Sequence, residues 1–321
     1  MTKDSSKSIL QNFALTKKTF SAIFTLTSCA AAFLLSLFFS DEIAHSVRSA
    51  LSLCANVIIP SVFPFIVLSD FLYAYIDFSS YNRIGHLFER VFGIRRTGLY
   101  PYVLGILCGF PLGVRCASKL YRDGKLSKDE VERLIGFSNN TGPAFLVSGI
   151  GLGLRGSIKE GFLLYFIMLF SSLVVGYLFS INHSVEKADG EFEDFKSFSF
   201  TESIKNAGIN TLNICSYLTF FACIVGLLRA AIGENFVYLS IIPFLEVGSA
   251  TSILSKTKLL SDGFSFALSS FAIGFSGISV HLQAISFLIG SDISLKRYFP
   301  MKFLQGLLSF LLAFLLFGLL R

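Results

Sequence analysis

Nine stretches of this chain carry almost no charge, and each approaches or exceeds the length of a membrane-spanning helix. They are residues 20–39, 49–76, 98–114, 134–154, 161–182, 206–228, 235–255, 263–291 and 303–320. A helix that crosses the hydrocarbon core of a bilayer needs about 20 apolar residues. The sequence therefore predicts an all-α, multi-pass membrane protein that has the lipid bilayer as a partner.

Composition and motifs exclude several other classes of protein. Of the 321 residues, 53% are apolar and 15% are charged, which leaves too little polar surface to coat a water-soluble globule. The net charge of +6 comes from short basic clusters between apolar segments, so nucleic acid is not an expected partner. The six cysteines contain no CxxC pair, and HExxH and Walker A motifs are absent. We therefore expect no metal site, no cofactor and no direct use of ATP.

Helix-breaking residues lie inside several of the apolar segments. Pro60 and Pro64 fall in the second segment, and residues 108–111, 139–143 and 274–277 fall in the third, fourth and eighth. Proline removes a helical hydrogen bond. Backbone N–H and C=O groups without a helical partner occur at membrane depth only where they are buried in protein or line a water-filled cavity. We expect broken or re-entrant helices at these positions.

The densest run of charge, residues 115–133, separates the third and fourth segments. Arg115 and Lys119 are four positions apart and share one helical face. Ser127 followed by Glu130 is a capping box, which predicts a second helix. The run is thus predicted to be a charged helical hairpin, and the positive-inside rule places it in the cytoplasm.

The two halves of the chain show a weak internal repeat. Residues 46–50 match residues 203–207, and the interruption at Gly109 matches more loosely the one at Gly277. Paired interruptions in two halves are a sequence indicator of a transporter site near the membrane midplane. We therefore predict two pseudo-symmetric repeats. The predicted divisions are a basic tail and first helix (1–44), a first repeat (45–182), an acidic loop (183–200) and a second repeat (201–321).

Polar residues near the interruptions are the candidates for a solute site. Ionisable groups in hydrocarbon cost at least a few kcal/mol and should face a cavity or a partner. Arginine and the amino ends of half-helices favour an anionic solute. The same groups could instead cap helix ends or, for Arg115, reach the membrane surface. The candidates are Gly109, Arg115, Asn139, Asn140, Thr141, Gly142, Glu246, His281 and Gln283.

One pattern points to an enzyme. Residues 274–277 read Gly-Phe-Ser-Gly, which fits the GxSG motif of rhomboid intramembrane serine proteases. In those enzymes a later helix supplies the histidine base, whereas His281 follows Ser276 by only five positions. We therefore expect that the chain is not an enzyme.

Three strings, at residues 109–113, 120–127 and 137–143, resemble the YlbJ family of sporulation integral membrane proteins. That family belongs to a wider group with a nucleoside-recognition, or Gate, domain. The resemblance implies Gate-like repeats, a spore-forming bacterium, a site in the cell membrane or outer forespore membrane, and transport of dipicolinic acid. A nucleoside-type transporter and a non-transporting scaffold of a sporulation complex are the alternatives. A coupling ion and a homo-oligomer are further partners that the sequence leaves open.

Overall fold

A computed structural model describes residues 26–27, 30–31, 33–75, 83–181, 183, 185 and 199–320. The predicted basic tail, part of the first apolar helix and most of the acidic loop 183–200 lie outside these residues. Throughout the described ranges all regular structure is helical. The predicted all-α class is therefore confirmed.

Five helices in the described part of the chain are long and apolar enough to cross a membrane. They are Ser40–Tyr75, Ile158–Leu178, Phe200–Ile232, Asp262–Ser286 and Tyr298–Leu316. Large apolar side chains such as Phe166, Leu212 and Leu315 are exposed on their outer faces. Such faces suit lipid and would be costly in water. Together these helices confirm a multi-pass membrane protein.

The described residues of the first half form seven α-helices and a π-helical segment. They are α1 (Ser40–Leu53), α2 (Ile59–Tyr75), α3 (Arg83–Phe92), α4 (Leu99–Cys108), α5 (Leu112–Arg122), α6 (Lys128–Ser138), the π-helical segment Ala144–Leu154 and α7 (Ile158–Leu178). A π-turn, Cys54–Ile58, joins α1 to α2.

The second half contains six α-helices. They are α8 (Phe200–Ile232), α9 (Phe236–Leu245), α10 (Val247–Leu254), α11 (Asp262–Phe275), α12 (Gly277–Ser286) and α13 (Tyr298–Leu316).

The predicted break at Pro60 and Pro64 is wrong, because the helix runs from Ser40 to Tyr75 without interruption. For Pro60 the reason lies in the π-turn just before it. Proline has no N–H for the carbonyl four residues earlier, which here belongs to Asn56 inside the π-turn. Hydrogen bonds in a π-turn span five residues, so the chain absorbs the proline there without breaking.

The interruptions predicted at residues 108–111, 139–143 and 274–277 are present, each between two helices, and a further one lies at Glu246. Apart from α3, which has no counterpart in the second half, each half has the same order of elements: a long helix, two interrupted helices and one spanning helix. In that order the interruption at Gly109 corresponds to the one at Glu246, and residues 139–143 correspond to Ser276. The sequence match pairs Gly109 with Gly277 instead, so the order of elements and the sequence give different correspondences. The pseudo-symmetry of the repeats stays a prediction.

The charged hairpin is formed by α5 and α6. Ser127 Oγ accepts from the Glu130 N–H at 3.3 Å, and Glu130 Oε2 accepts from the Ser127 N–H at 2.7 Å, which completes the capping box. Arg95 also donates to Glu130, at 2.8 Å from its Nε. The capping box therefore forms as predicted, and one arm, α6, is buried in protein along most of its length.

Close backbone approach sets how α13 packs in the bundle. A Cβ atom on Gly274 would lie 2.9 Å from the Gln305 carbonyl, and one on Gly136 would lie 2.4 Å from Met301 Sδ. At Gly274 the near atom belongs to the backbone, so only glycine permits the approach, whereas at Gly136 it belongs to a side chain. Helix α13 therefore lies directly against α6 and α11, both of which end at interruptions.

Candidate functional site

The interruptions meet in pairs, one pair in each half. A Cβ atom on Gly109 would lie 2.8 Å from the Gly142 nitrogen. In the other half, a Cβ atom on Gly277 would lie 3.1 Å from the Leu245 carbonyl oxygen and 3.2 Å from the Glu246 nitrogen. Each half therefore brings two broken helices together at the points where their hydrogen-bond ladders stop.

A cavity of about 620 Å³, including its mouth, is lined by both members of the first pair and by one member of the second. Gly109 and Gly142 come from the first pair, and Glu246 from the second. Thr141 and Gln283 also line it, one residue before Gly142 and on helix α12. The structure thus places five of the nine candidate residues around one space, where interrupted helices can expose backbone groups.

Most of the remaining wall is apolar and aromatic. Phe65 of α2, Phe110 and Phe145 line the cavity, and Ser61 adds a hydroxyl group. The Ser61 hydroxyl donates to the Val57 carbonyl at 2.6 Å, so it is already engaged within α2. A wall of this kind suits a small solute with a flat apolar body and a few polar groups.

Two buried polar atoms at the cavity have no hydrogen-bond partner in the described residues: Thr141 Oγ1 and Gln283 Oε1. Thr141 is 1% exposed and Gln283 is 3% exposed. A buried polar group without a partner costs about 1–3 kcal/mol. Because both residues line the cavity, these two atoms are the candidates for hydrogen bonds to a solute or water bound there.

Glu246 is the acidic residue at the cavity. Its backbone is extended, and its side chain caps the amino end of α10. Oε1 accepts from the Gly248 N–H at 2.7 Å, and Oε2 accepts from the Ser249 N–H. These bonds and the positive end of the helix dipole stabilise a buried carboxylate.

The π-helical segment begins at the cavity wall. Ala144 and Phe145, its first residues, line the cavity together with Thr141 and Gly142. Pro143 precedes it and supplies no side-chain cap. The amino end of a helix carries partial positive charge and free N–H groups, so this end can bind an acidic or carbonyl group.

Asn139 and Asn140 lie behind the cavity wall. Asn139 Nδ2 donates to the Tyr298 hydroxyl at 2.8 Å. Asn140 Nδ2 donates to the Phe137 carbonyl at 2.6 Å, and its Oδ1 accepts from Gln305 Nε2 at 2.8 Å. The two asparagines therefore hold the interruption against α13, where they fix the position of Thr141.

His281 and Ser276 do not form a catalytic pair. His281 Nδ1 lies 2.9 Å from the Tyr298 hydroxyl, and its ring packs edge-on against Phe275. The Ser276 hydroxyl donates to the Ile273 carbonyl at 3.3 Å. Neither residue lines the cavity. His281 is therefore part of the same buried network as Asn139.

Arg115 lies apart from the cavity, in an ion pair. Its guanidinium donates to both carboxylate oxygens of Asp70, at 2.9 and 2.8 Å, and to Ser69 Oγ at 3.2 Å. Lys119 also reaches Asp70, at 3.4 Å, as expected from the shared face of the two basic residues. The Ser203 hydroxyl completes the cluster with a 3.2 Å bond to Asp70. Helices α2, α5 and α8 are joined at this point.

The sequence reasoning missed the polar residues of α13. Tyr298, Lys302 and Gln305 are fully buried and contact the asparagines of the interruption. The predicted ninth segment began at residue 303, which placed Lys302 outside it. A signal was present, because positions 302, 305 and 309 are polar at helical spacing in an otherwise apolar run.

Comparison with curated proteins finds one relative from a spore-forming bacterium. The chain is 25% identical to the sporulation integral membrane protein YlbJ of Bacillus subtilis (strain 168), over 84% of this chain and 76% of that protein. No family model matches the chain. No solved structure matches it either. The similarity covers both halves of the chain and confirms the resemblance that the motifs at residues 109–143 indicated.

Proposed function

We propose that this chain, a homologue of the sporulation integral membrane protein YlbJ, is a transporter that carries a small solute through the membrane. The observation that carries the proposal is the convergence of three helix interruptions on one cavity, with the fourth, at Gly277, packed against the one at Glu246. Interrupted helices in both halves, with a site between them, are typical of secondary transporters. The unpartnered atoms of Thr141 and Gln283 supply the polar contacts that such a site needs.

We propose that the solute is a flat aromatic acid of the dipicolinic acid class, as the family resemblance implies. The walls formed by Phe65, Phe110 and Phe145 support a planar ring. The amino end of the π-helical segment and the hydroxyl of Thr141 offer donors to a carboxylate. Glu246 adds negative charge to the same wall, so a dianion would bind there together with a proton or a cation.

The experiment is solute uptake by liposomes that contain the purified protein. Dipicolinate uptake is compared with nucleoside uptake for the wild type, Thr141→Val and Gln283→Leu. Loss of a buried hydrogen bond to a charged solute costs about 1.5–3 kcal/mol, so each variant should take up dipicolinate roughly 10-fold or more slowly. Thr211→Val is the matched control, because Thr211 has an equally buried and unpartnered hydroxyl outside the cavity.

The alternatives give different results in the same assay. If the liposomes take up nucleosides but not dipicolinate, the protein is a transporter of a different class of solute. No uptake of either solute would overturn the transporter proposal and favour a scaffold of a sporulation complex. We further propose that the protein works in the outer forespore membrane, which a fluorescent fusion imaged during sporulation would test.

A further inference from the structure

Lys302 places a positive charge inside the membrane-spanning helix α13. The residue is fully buried. Its ammonium donates to the Asn139 carbonyl at 2.8 Å and to Gln305 Oε1 at 2.7 Å. In the described part of the chain no carboxylate lies within ion-pair distance of it. A buried charge of this kind is costly unless strong acceptors surround it.

The acceptors around the ammonium are those of a monovalent cation site. Asn139 is the residue after the last turn of α6, where helix carbonyls carry partial negative charge. The Gln305 amide is held in place by its bond to Asn140 Oδ1. Unwound carbonyls and carboxyl ends of half-helices coordinate sodium ions in transporters with interrupted helices. The same chemistry is present here.

We propose that the Lys302 ammonium is a tethered cation that fills a monovalent cation site at the interruption after α6. The side chain takes the place that a soluble ion would otherwise occupy. It joins α13 to the interruption after α6, in which Thr141 and Gly142 line the cavity. The interruption therefore keeps its shape without sodium or potassium from solution.

The test measures the thermal unfolding midpoint of the full-length protein in detergent. Lys302→Ala removes three methylenes and the ammonium, which together correspond to n-propylammonium. We expect its midpoint to fall by about 5 °C or more, because two buried acceptors lose their partner. Sodium chloride or n-propylammonium chloride should then raise the midpoint of Lys302→Ala more than that of the wild type, relative to N-methylglucamine chloride at equal ionic strength. Neutral n-propanol should not.

Two further variants complete the test. Lys258→Ala, at an exposed lysine, is the matched control and should leave the midpoint unchanged. Lys302→Met fills the space without a charge, so we expect a lower midpoint that n-propylammonium does not restore. The proposal is overturned if Lys302→Met is as stable as the wild type, or if n-propanol restores Lys302→Ala as well as the cations do. If Lys302→Ala does not fold, Lys302→Met decides alone. The readout needs no solute, so it is independent of the transport proposal.

Discussion

Gly109 and Gly142 approach so closely that a Cβ atom on Gly109 would lie 2.8 Å from the Gly142 nitrogen. Gly109 also has a φ of +89°, which L side chains rarely adopt. This contact brings the interruption after α4 against the interruption after α6, so that both line one cavity. The shape of the proposed site therefore depends on the absence of a side chain at Gly109.

Gly109→Ala should destabilise the protein more than a positive φ alone explains. With a φ of +89° and a ψ of 176°, Gly109 lies in a region essentially restricted to glycine, which costs any other residue about 1–3 kcal/mol. The contact with the Gly142 backbone adds a clash that no side-chain movement can relieve. We expect a total loss of roughly 3 kcal/mol or more in the free energy of unfolding. Thermal unfolding of the purified protein measures it.

Gly124→Ala is the matched control for this substitution. Gly124 has a φ of +68°, and a Cβ atom there would meet nothing within 4 Å. It should therefore lose only the backbone term, about 1–2 kcal/mol. Equal losses for the two variants would show that the Gly109–Gly142 contact does not constrain the site.

Glu246→Ala should destabilise the protein more than Glu246→Gln. The carboxylate caps α10 through the N–H groups of Gly248 and Ser249, and glutamine keeps one of the two acceptor oxygens. We expect a loss of about 1 kcal/mol for glutamine and about 2 kcal/mol for alanine. Both are measured from unfolding midpoints.

Asn235→Ala gives the scale for the Glu246 substitutions. Asn235 caps the amino end of α9 with a 2.9 Å bond from the Tyr238 N–H, at an exposed position. Its removal should cost about 1 kcal/mol. If Glu246→Ala costs no more than Asn235→Ala, the buried carboxylate is not the stabilising cap that its geometry indicates.

The location of the interruptions could be predicted because it depends on local chemistry. Pro111 and Pro143 restrict the backbone, Gly109 and Gly277 permit its positive φ angles, and the helices end near these residues. Pro60 was misjudged because its effect depends on the register of the preceding turns. A π-turn before it cannot be read from the residues alone.

Which residues line the cavity could be predicted only in part, since this depends on which side of each interruption faces the cavity. Thr141 lines the cavity whereas Asn140, one residue earlier, turns towards Gln305. Adjacent residues in a non-helical turn have no fixed period. Arg115 was predicted to line the solute site, but it pairs with Asp70. That partner is 45 positions away in the chain, so local spacing does not reveal it.

Asp70→Asn and Arg115→Met should each destabilise the protein through the loss of the same ion pair. Both side chains are 12% exposed, and removal of one partner leaves the other charge largely buried. We expect losses of roughly 2–4 kcal/mol for either variant, and less than the sum for the double variant. A double-mutant cycle on unfolding midpoints measures the coupling.

The same pair of variants separates an ion pair from a solute contact at Arg115. If Arg115 only pairs with Asp70, the two variants should reduce dipicolinate uptake alike. Retained or faster uptake by Asp70→Asn, with uptake lost in Arg115→Met, would show that the guanidinium binds the anion. That result would restore Arg115 to the solute site.

Acid should remove the stability that Asp129 contributes at the charged tip of α6. Its carboxylate accepts from Arg297 at 2.5 Å and from Arg133 at 3.0 Å. Burial alone would raise the pKa of Asp129, but these bonds and the charge of Arg133 outweigh it and hold the pKa below its ordinary value. A depressed folded-state pKa stabilises the protein above the unfolded-state value of about 3.9.

The difference in unfolding midpoint between wild type and Asp129→Asn should therefore stay constant above about pH 5 and shrink as the pH falls below about 4. In an Arg297→Gln background the pKa of Asp129 should be lowered less, so the difference in midpoint should shrink less at low pH. An unchanged pH dependence would assign the stabilisation to other groups.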